Sequence, residues 1–84
     1  MASMNKVFLL GNLTRDPELR HAQNGTAVVR LGLAVNHRYR QNDVDKEETM
    51  FIDVVAFGRM AETASEHLTK GRPVLIEGRL KWQS

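Results

Sequence analysis

The sequence contains no cysteine, and its 84 residues include only two prolines, one tryptophan and one tyrosine. Without cysteine, no disulfide can stabilise the fold and no thiolate can bind zinc. A chain of this length buries only about 60% of the surface that its unfolded form exposes, so its own core is small. We therefore expect association into an oligomer to contribute to its stability.

Long apolar runs and an N-terminal targeting segment are also lacking. No stretch approaches the roughly 20 apolar residues that span a membrane, and the N-terminus has no apolar segment of the kind that secretion signals contain. The expectation is a soluble, cytoplasmic protein. Residues 1–84 are predicted to form a single domain, with residues 1–3 disordered.

Catalytic and metal-binding patterns are sparse. No Gly-rich phosphate loop is present, and three histidines lie far apart without the spacing of zinc ligands: His21, His37 and His67. Four acidic residues could bind a metal weakly, but solvated charges that keep a loop extended are the simpler interpretation: Asp43, Asp45, Glu47 and Glu48. We therefore predict no catalytic residue, no metal and no cofactor, and we do not expect an enzyme.

Charge is distributed unevenly, although the net charge is only +2. Residues 1–42 carry six Lys or Arg and two acids, residues 43–58 carry one and five, and residues 59–84 carry five and three. Eight of the twelve bases are Arg, a side chain that pairs with phosphate and stacks on flat rings. On charge alone, an ordinary solvated surface is the favoured explanation of this distribution.

Alternating apolar residues predict four main strands, over residues 5–13, 27–35, 49–57 and 73–82. The first strand is apolar on both faces, since Phe8 and Leu10 lie opposite Val7 and Leu9. A strand that is apolar on both sides in so small a protein indicates that one face meets another subunit.

The connections between the strands carry turn signals. A short segment, residues 18–22, leads into Asn24-Gly25, a strong hairpin signal because both residues tolerate positive φ. Gly32 suits a bulge or a sharp bend in the second strand. Residues 38–48 are polar, and we predict a mobile inter-strand loop there, in the form of an extended hairpin.

One helix is predicted between Arg59 and Lys70, followed by Gly71 as its C-terminal stop. Its apolar positions are Met60, Ala61, Ala64 and Leu68. The chain is therefore all-β with one helix, and the order of elements predicts an OB-fold, a five-stranded Greek-key barrel. The sequence stops at Ser84, where a fifth strand should begin, so most or all of that strand is expected to be lacking.

Aromatic residues interleaved with Lys and Arg residues suggest a binding function. Phe51 and Phe57 share one strand face, about 20 Å apart, together with the polar Asp53. Rings on such a face can stack on the bases of unpaired nucleic acid, at about 1–3 kcal/mol per base. Packing in the core or in an oligomer interface explains the same pattern equally well.

Further candidates lie in the polar loop and in the last strand. Tyr39 stands between Arg38 and Arg40, an arrangement that suits base stacking beside phosphate contacts. Arg79 and Lys81 share one face of the last predicted strand and would extend a basic track. Trp82 has the parity of the apolar residues of that strand, so we predict that it packs inward.

Four segments together resemble the bacterial and mitochondrial single-stranded DNA-binding protein family. They are NKVFLLGNLTRDPE at residues 5–18, NGT at residues 24–26, FGRMAE at residues 57–62 and LTKGRPVLIEGRL at residues 68–80. The similarity runs from about residue 4 to residue 81, in order and with nearly family-typical spacing. Such a combination is highly specific.

The resemblance implies sequence-independent binding of single-stranded DNA in replication, recombination and repair, by a homotetramer built as two dimers and located near the nucleoid. It implies base stacking by Tyr39, Phe51 and Phe57. It also implies phosphate contacts by Lys6, Arg20, Arg59, Lys70 and Arg72. The family recruits replication and repair proteins through an acidic C-terminal tip, and that tip lies outside these 84 residues.

Two residues depart from the family pattern. Asp53 stands where some members have a base, which would weaken local attraction for phosphate. Trp82 lies about three residues earlier than the tryptophan that the family usually has after this strand, so the role of that tryptophan is not assigned to Trp82. Two other functions stay open from the residues themselves: an OB module that works through protein partners, and a metal-dependent nuclease that uses the acidic loop.

Overall fold

The fold is one antiparallel sheet with a helix packed against it, and the computed structural model describes residues 1–81. In chain order the elements are β1 (Val7–Leu13), β2 (Glu18–His21), β3 (Ala27–Gln41), β4 (Val44–Phe57), α1 (Arg59–His67) and β5 (Pro73–Gly78). The prediction of an all-β chain with one helix is confirmed. The sheet has five strands because the short segment after Pro17 forms β2.

Strand β3 organises the sheet, since it pairs with three other strands. One of its edges pairs with β2 over residues 27–30 and then with β1 at Leu33 and Ala34, while the other edge pairs with β4. Strand β5 pairs with the remaining edge of β1. The result is a sheet that curls into a half-barrel.

The core lies on the inner side of this curl. Its buried residues are Leu13, Ala27, Val29, Leu31, Leu33 and Ala61. The alternation predicted for β3 is therefore confirmed, because its odd-numbered residues face inward. The helix contributes less than predicted: Ala61 is buried and Ala64 and Leu68 are half-buried, but Met60 is 70% exposed.

The end of the helix was predicted too late. Helix α1 ends at His67, and Leu68 is already extended. The residues that follow are bound to the end of β1 instead, where the Gly71 N–H donates to the Leu13 carbonyl at 2.8 Å and the Leu13 N–H donates to the Arg72 carbonyl at 3.0 Å. Gly71 supplies the positive φ, 88°, of this turn rather than a helix cap.

The predicted loop at residues 38–48 is wrong in detail, because the two strands continue through it. β3 and β4 pair in one unbroken register out to Gln41 and Val44. The turn consists of Asn42 and Asp43, with φ of 52° and 62°. These two residue types tolerate the left-handed conformation that a two-residue hairpin needs, so a polar arm can remain paired as a hairpin. The hairpin itself is confirmed.

Gly32 does not form the predicted bulge, since the ladder around it is continuous. It lies where one edge of β3 changes its partner from β2 to β1. A Cβ at this position would collide with the side chains of Thr14 and Arg15. The glycine therefore makes room for the turn that follows β1.

The first and last strands are shorter than predicted. β1 begins at Val7 rather than at Asn5, and β5 ends at Gly78. Arg79 and Lys81 therefore lie beyond the strand and do not share a strand face. The Asn5 amide holds this segment by donating to the Leu80 carbonyl at 2.6 Å and accepting from the Leu80 N–H at 2.9 Å.

The prediction for Trp82 falls outside the described residues. Across the described range, no helix is long and apolar enough to span a bilayer.

Candidate nucleic-acid interface

The outer face of β2, β3 and β4 carries five of the twelve predicted site residues: Arg20, Arg38, Arg40, Phe51 and Phe57. Residues directly opposite each other in an antiparallel ladder lie on the same face, so the register assigns each side chain to a row. The rows on this outer face are Arg20–Val28–Phe57, Glu18–Arg30–Val55, Gly32–Asp53, Ala34–Phe51, Asn36–Thr49, Arg38–Glu47 and Arg40–Asp45. The opposite face holds the core residues of β3.

Phe51 and Phe57 both project from this outer face. Their exposed fractions are 74% and 59%, which is high for large apolar rings. The interpretation as core residues is therefore wrong for both. Two rows of this face, those of Val55 and Asp53, lie between them, so the two rings can act as separate platforms about 20 Å apart.

Tyr39 lies on the other face of the hairpin arm. It pairs with Lys46, and its ring stacks on His37 with centroids 5.9 Å apart and planes inclined by 18°. The register therefore does not place it in line with Phe51. Tyr39 is 39% exposed, so its ring remains accessible from that side of the arm.

The arginines that flank Tyr39 return to the outer face and meet the acidic side of the hairpin. Arg38 lies 3.9 Å from Glu47 and Arg40 lies 3.7 Å from Asp45. All four groups are exposed, and such ion pairs contribute only about 0–1 kcal/mol. A phosphate can therefore displace the carboxylates at little cost.

Two other basic side chains that were predicted as site residues are also paired with acidic side chains. Arg20 forms an ion pair with Glu18 on β2. The Lys6 ammonium lies 2.6 Å from Glu77 and 5.5 Å above the Phe8 ring. Lys6 thus belongs to the surface of β1 and β5, and the structure does not bring it to the rings of β4.

The remaining Lys and Arg residues that were predicted as site residues lie near the helix and the last strand. Arg59 begins α1 two residues after Phe57. Lys70 and Arg72 belong to the segment bound to the end of β1, where the Lys70 N–H donates to Asp16 at 2.7 Å and the Arg72 guanidinium donates to the His67 carbonyl at 3.2 Å. Within residues 1–81, none of these five side chains forms an ion pair with a carboxylate: Arg59, Lys70, Arg72, Arg79 and Lys81.

Two arginines on this surface were not predicted as site residues. Arg30 is exposed and projects between the rows of Phe51 and Phe57, as the period of two in β3 already indicated. Arg15 follows β1 and reaches Asp53 at 3.2 Å. It lines an open groove of about 270 Å³ together with Thr14, Gly32, Leu33, Phe51, Ile52 and Asp53. No sequence spacing links Arg15 to that groove.

Residues 1–81 contain no group of three or more His, Asp or Glu side chains that could hold an ion. Two acidic residues of the hairpin arm, Glu47 and Asp45, face Arg38 and Arg40 in cross-strand pairs. The outer face therefore presents rings and guanidinium groups, which suit stacking and phosphate contacts.

Known proteins with similar sequences and folds agree with this description. A single-stranded DNA-binding protein of Helicobacter hepaticus is 52% identical over 81 residues, which cover 95% of this chain and 48% of the relative. One from Thermus aquaticus is 55% identical over 78 residues, which cover 93% of this chain and 28% of the relative. This chain thus spans about half or less of the length of these relatives.

The crystal structure of the wild-type single-stranded DNA binding protein from Thermus aquaticus superimposes with a TM-score of 0.72 at 49% sequence identity. The match covers 90% of this chain and 32% of that one. The curled sheet with one helix and this similarity confirm the predicted OB-fold. The model of the "Single-strand binding protein family" matches residues 4–84. Since the match extends over nearly the whole sequence, this chain belongs to the single-strand binding protein family.

Proposed function

We propose that this chain binds single-stranded DNA without reading its sequence, by stacking bases on Phe51 and Phe57 and by contacting phosphates with arginine and lysine. The observation that carries this proposal is the exposure of both rings on a face that also presents Arg20, Arg30, Arg38 and Arg40. Every base has a flat face, so stacking tolerates any sequence, and guanidinium groups attract the backbone.

The proposed binding is non-enzymatic and serves DNA replication, recombination and repair, in the cytoplasm near the nucleoid. Tyr39 would stack on a base from the other side of the hairpin arm, so the strand would pass around the arm. Recruitment of replication and repair proteins is not proposed for these 84 residues. The alternative of a protein-interaction module predicts weak DNA binding, and the alternative of a nuclease predicts metal-dependent cleavage.

The salt dependence of binding tests the electrostatic part of the proposal. We expect the logarithm of the affinity for oligo-dT to fall linearly with the logarithm of the salt concentration, at about −0.7 per phosphate neutralised. Replacing Lys70 or Arg72 with Gln should reduce that slope by about 0.7 each, because each change removes one cation.

Fluorescence anisotropy of labelled oligo-dT at several salt concentrations provides the measurement, with a duplex of the same length as the competitor. The duplex should compete poorly, since its bases are paired and cannot stack on the rings. Absence of oligo-dT binding at low salt would refute the proposed function.

We also propose that the chain assembles as a homotetramer, a dimer of dimers. The outer face of β1 and β5 exposes Phe8 (62%), Leu10 (64%) and Leu75 (70%), and Leu10 and Leu75 are direct cross-strand partners. This is the second apolar face of β1 that the sequence pattern indicated. A contiguous apolar patch of this kind is typical of surfaces that associate.

Replacing Leu10 with Glu tests this assembly. We expect the mass measured by light scattering to fall below that of the wild-type protein, because association would bury an unpaired charge. Val44→Glu is the matched control, since Val44 is 54% exposed at the tip of the hairpin, away from the patch. Equal masses for the wild-type protein and Leu10→Glu would exclude this patch from the interface.

A further inference from the structure

The turn after β1 places a cation beside the ring of Phe51. The Arg15 Nη2 lies 3.2 Å from the Asp53 Oδ1, and Asp53 pairs with Gly32 in the ladder between β3 and β4. A Cβ on Gly32 would collide with the Arg15 guanidinium and the Thr14 hydroxyl. The guanidinium therefore lies directly over the backbone of β3, a position that a larger residue at 32 would block.

This guanidinium forms part of the wall of a groove that opens next to Phe51. The groove encloses about 270 Å³, just below the range of about 300–1,000 Å³ that small-molecule sites occupy. Its polar lining comes from Thr14, Arg15 and Asp53, and its apolar lining includes the ring that is 74% exposed. A flat apolar face next to a hydroxyl and a guanidinium matches the base and the phosphate of one nucleotide.

The ion pair leaves most of the arginine unused. A guanidinium has five N–H donors, and Asp53 accepts one hydrogen bond from Arg15. The side chains of Arg15 and Asp53 are 46% and 64% exposed, so their attraction is weak and does not prevent a second partner from binding. The Arg15 guanidinium therefore keeps a pair of parallel N–H groups, which is the arrangement that binds a phosphate in bidentate fashion.

We propose that Arg15, supported by the Thr14 hydroxyl, binds the phosphate of the nucleotide whose base stacks on Phe51. Asp53 acts as a positioning residue, because it holds the guanidinium over Gly32. This inference rests on the proposed function and adds a cation to the site that neither the spacing of the sequence nor the family resemblance assigned. Asp53 then has two opposite effects on binding: its charge repels phosphate, but its carboxylate orients the Arg15 guanidinium that binds phosphate.

A simpler role for Arg15 would be to neutralise Asp53. The two roles are separated by four proteins measured together: wild type, Arg15→Gln, Asp53→Asn and the double variant. Each is titrated with labelled oligo-dT over a range of salt concentrations. If Arg15 only neutralises Asp53, then removing Arg15 has no effect once Asp53 has become neutral. If Arg15 contacts phosphate, removing it still costs one contact.

We expect the double variant to bind oligo-dT about tenfold more weakly than Asp53→Asn, with a salt slope reduced by about 0.7. Equal affinities and slopes for these two proteins would overturn the proposal. Arg15→Lys keeps the charge but not the paired N–H groups, and we expect it to fall between the wild type and Arg15→Gln. An affinity for Arg15→Lys no higher than that of Arg15→Gln would contradict the role of the charge.

Thermal unfolding of all five proteins shows whether each is folded, and affinities are compared only at temperatures where all are folded. Asp53→Asn and the double variant share the same change at residue 53, so any loss of rigidity there is common to both. The wild-type titration also separates the proposed role of Arg15 from the proposed binding of single-stranded DNA. No wild-type binding would remove the proposed function, whereas wild-type binding with an unchanged slope in the double variant removes only the role of Arg15.

Discussion

Replacing both Phe51 and Phe57 with alanine is expected to weaken the binding of oligo-dT by about 2–6 kcal/mol. Each exposed ring offers one stacking surface, and the loss of a stacked base contributes about 1–3 kcal/mol. The two effects should add, because the rings lie about 20 Å apart on β4 and share no partner. Either single variant should show roughly half of the loss.

The salt slope gives this experiment its sharpest readout. The rings carry no charge, so the affinity should fall while the slope stays at the wild-type value, in contrast to the variants at Lys70 and Arg72. Val55→Ala is the matched control, since Val55 is a 44% exposed apolar residue of β4 on the same face, between the two rings. We expect that control to stay within about 0.5 kcal/mol of the wild type.

Substitution by other side chains separates stacking from general apolar contact. Phe51→Trp should retain the affinity, whereas Phe51→Leu should lose most of what Phe51→Ala loses, because leucine has no flat face. Wild-type affinity in the double alanine variant would show that these rings serve another purpose, such as an interface between subunits.

Replacing Gly11 with alanine is expected to lower the free energy of unfolding by about 1–3 kcal/mol. Gly11 lies in β1 next to the point where this strand meets β3, and a Cβ there would collide with the Ala34 carbonyl oxygen and lie 3.1 Å from the Leu33 side chain. Leu33 is fully buried, and a backbone carbonyl in a ladder cannot rotate away. The strands would have to move apart.

The Tm should fall by roughly 4–8 °C per kcal/mol for a domain of this size, as thermal unfolding by circular dichroism can measure. Gly78→Ala is the matched control: Gly78 lies in β5, also paired with β1, and nothing in the described residues is within 4 Å of a Cβ there. We expect a change of no more than about 0.5 kcal/mol in that control. Equal Tm values for the two variants would show that β1 and β3 can separate without cost.

The inward face of β3 is an example of what the sequence alone could predict. Its apolar residues alternate from Ala27 to Val35, and a period of two leaves one choice for the buried side. The same reasoning placed Phe51 and Phe57 opposite Ile52 and Val54, and the structure confirms it. These predictions succeed because they depend on neighbours along one strand.

The extent of the hairpin arm could not be predicted in that way. Residues 38–48 contain almost no apolar side chains, so no burial pattern marks them as strands. They pair because the register of β3 and β4 continues outward to the turn at Asn42 and Asp43. That same continuation places Tyr39 on the face opposite Phe51. The two residues lie on different strands, so their faces can be compared only once the register of β3 and β4 is known.

The roles of Gly71 and Gly32 depend on residues that are distant in the sequence. The local pattern predicts a helix stop at Gly71, but the Gly71 N–H donates to the carbonyl of Leu13, the last residue of β1, which is far away in the sequence. The local pattern predicts a bulge or a sharp bend at Gly32, but the requirement for a glycine comes from Thr14 and Arg15 in the turn after β1. A local pattern cannot contain such contacts.

The sequence by itself thus determined the class of fold, the buried side of its central strand and the two rings of β4 that face outward. The tertiary structure alone decided where Arg15 lies, that Asp53 is its partner, and on which side of the hairpin arm Tyr39 projects. The physical reason is the range of the interactions: alternation within a strand is written in adjacent residues, whereas the pairing of Arg15 with Asp53 arises when strands distant along the chain are brought side by side.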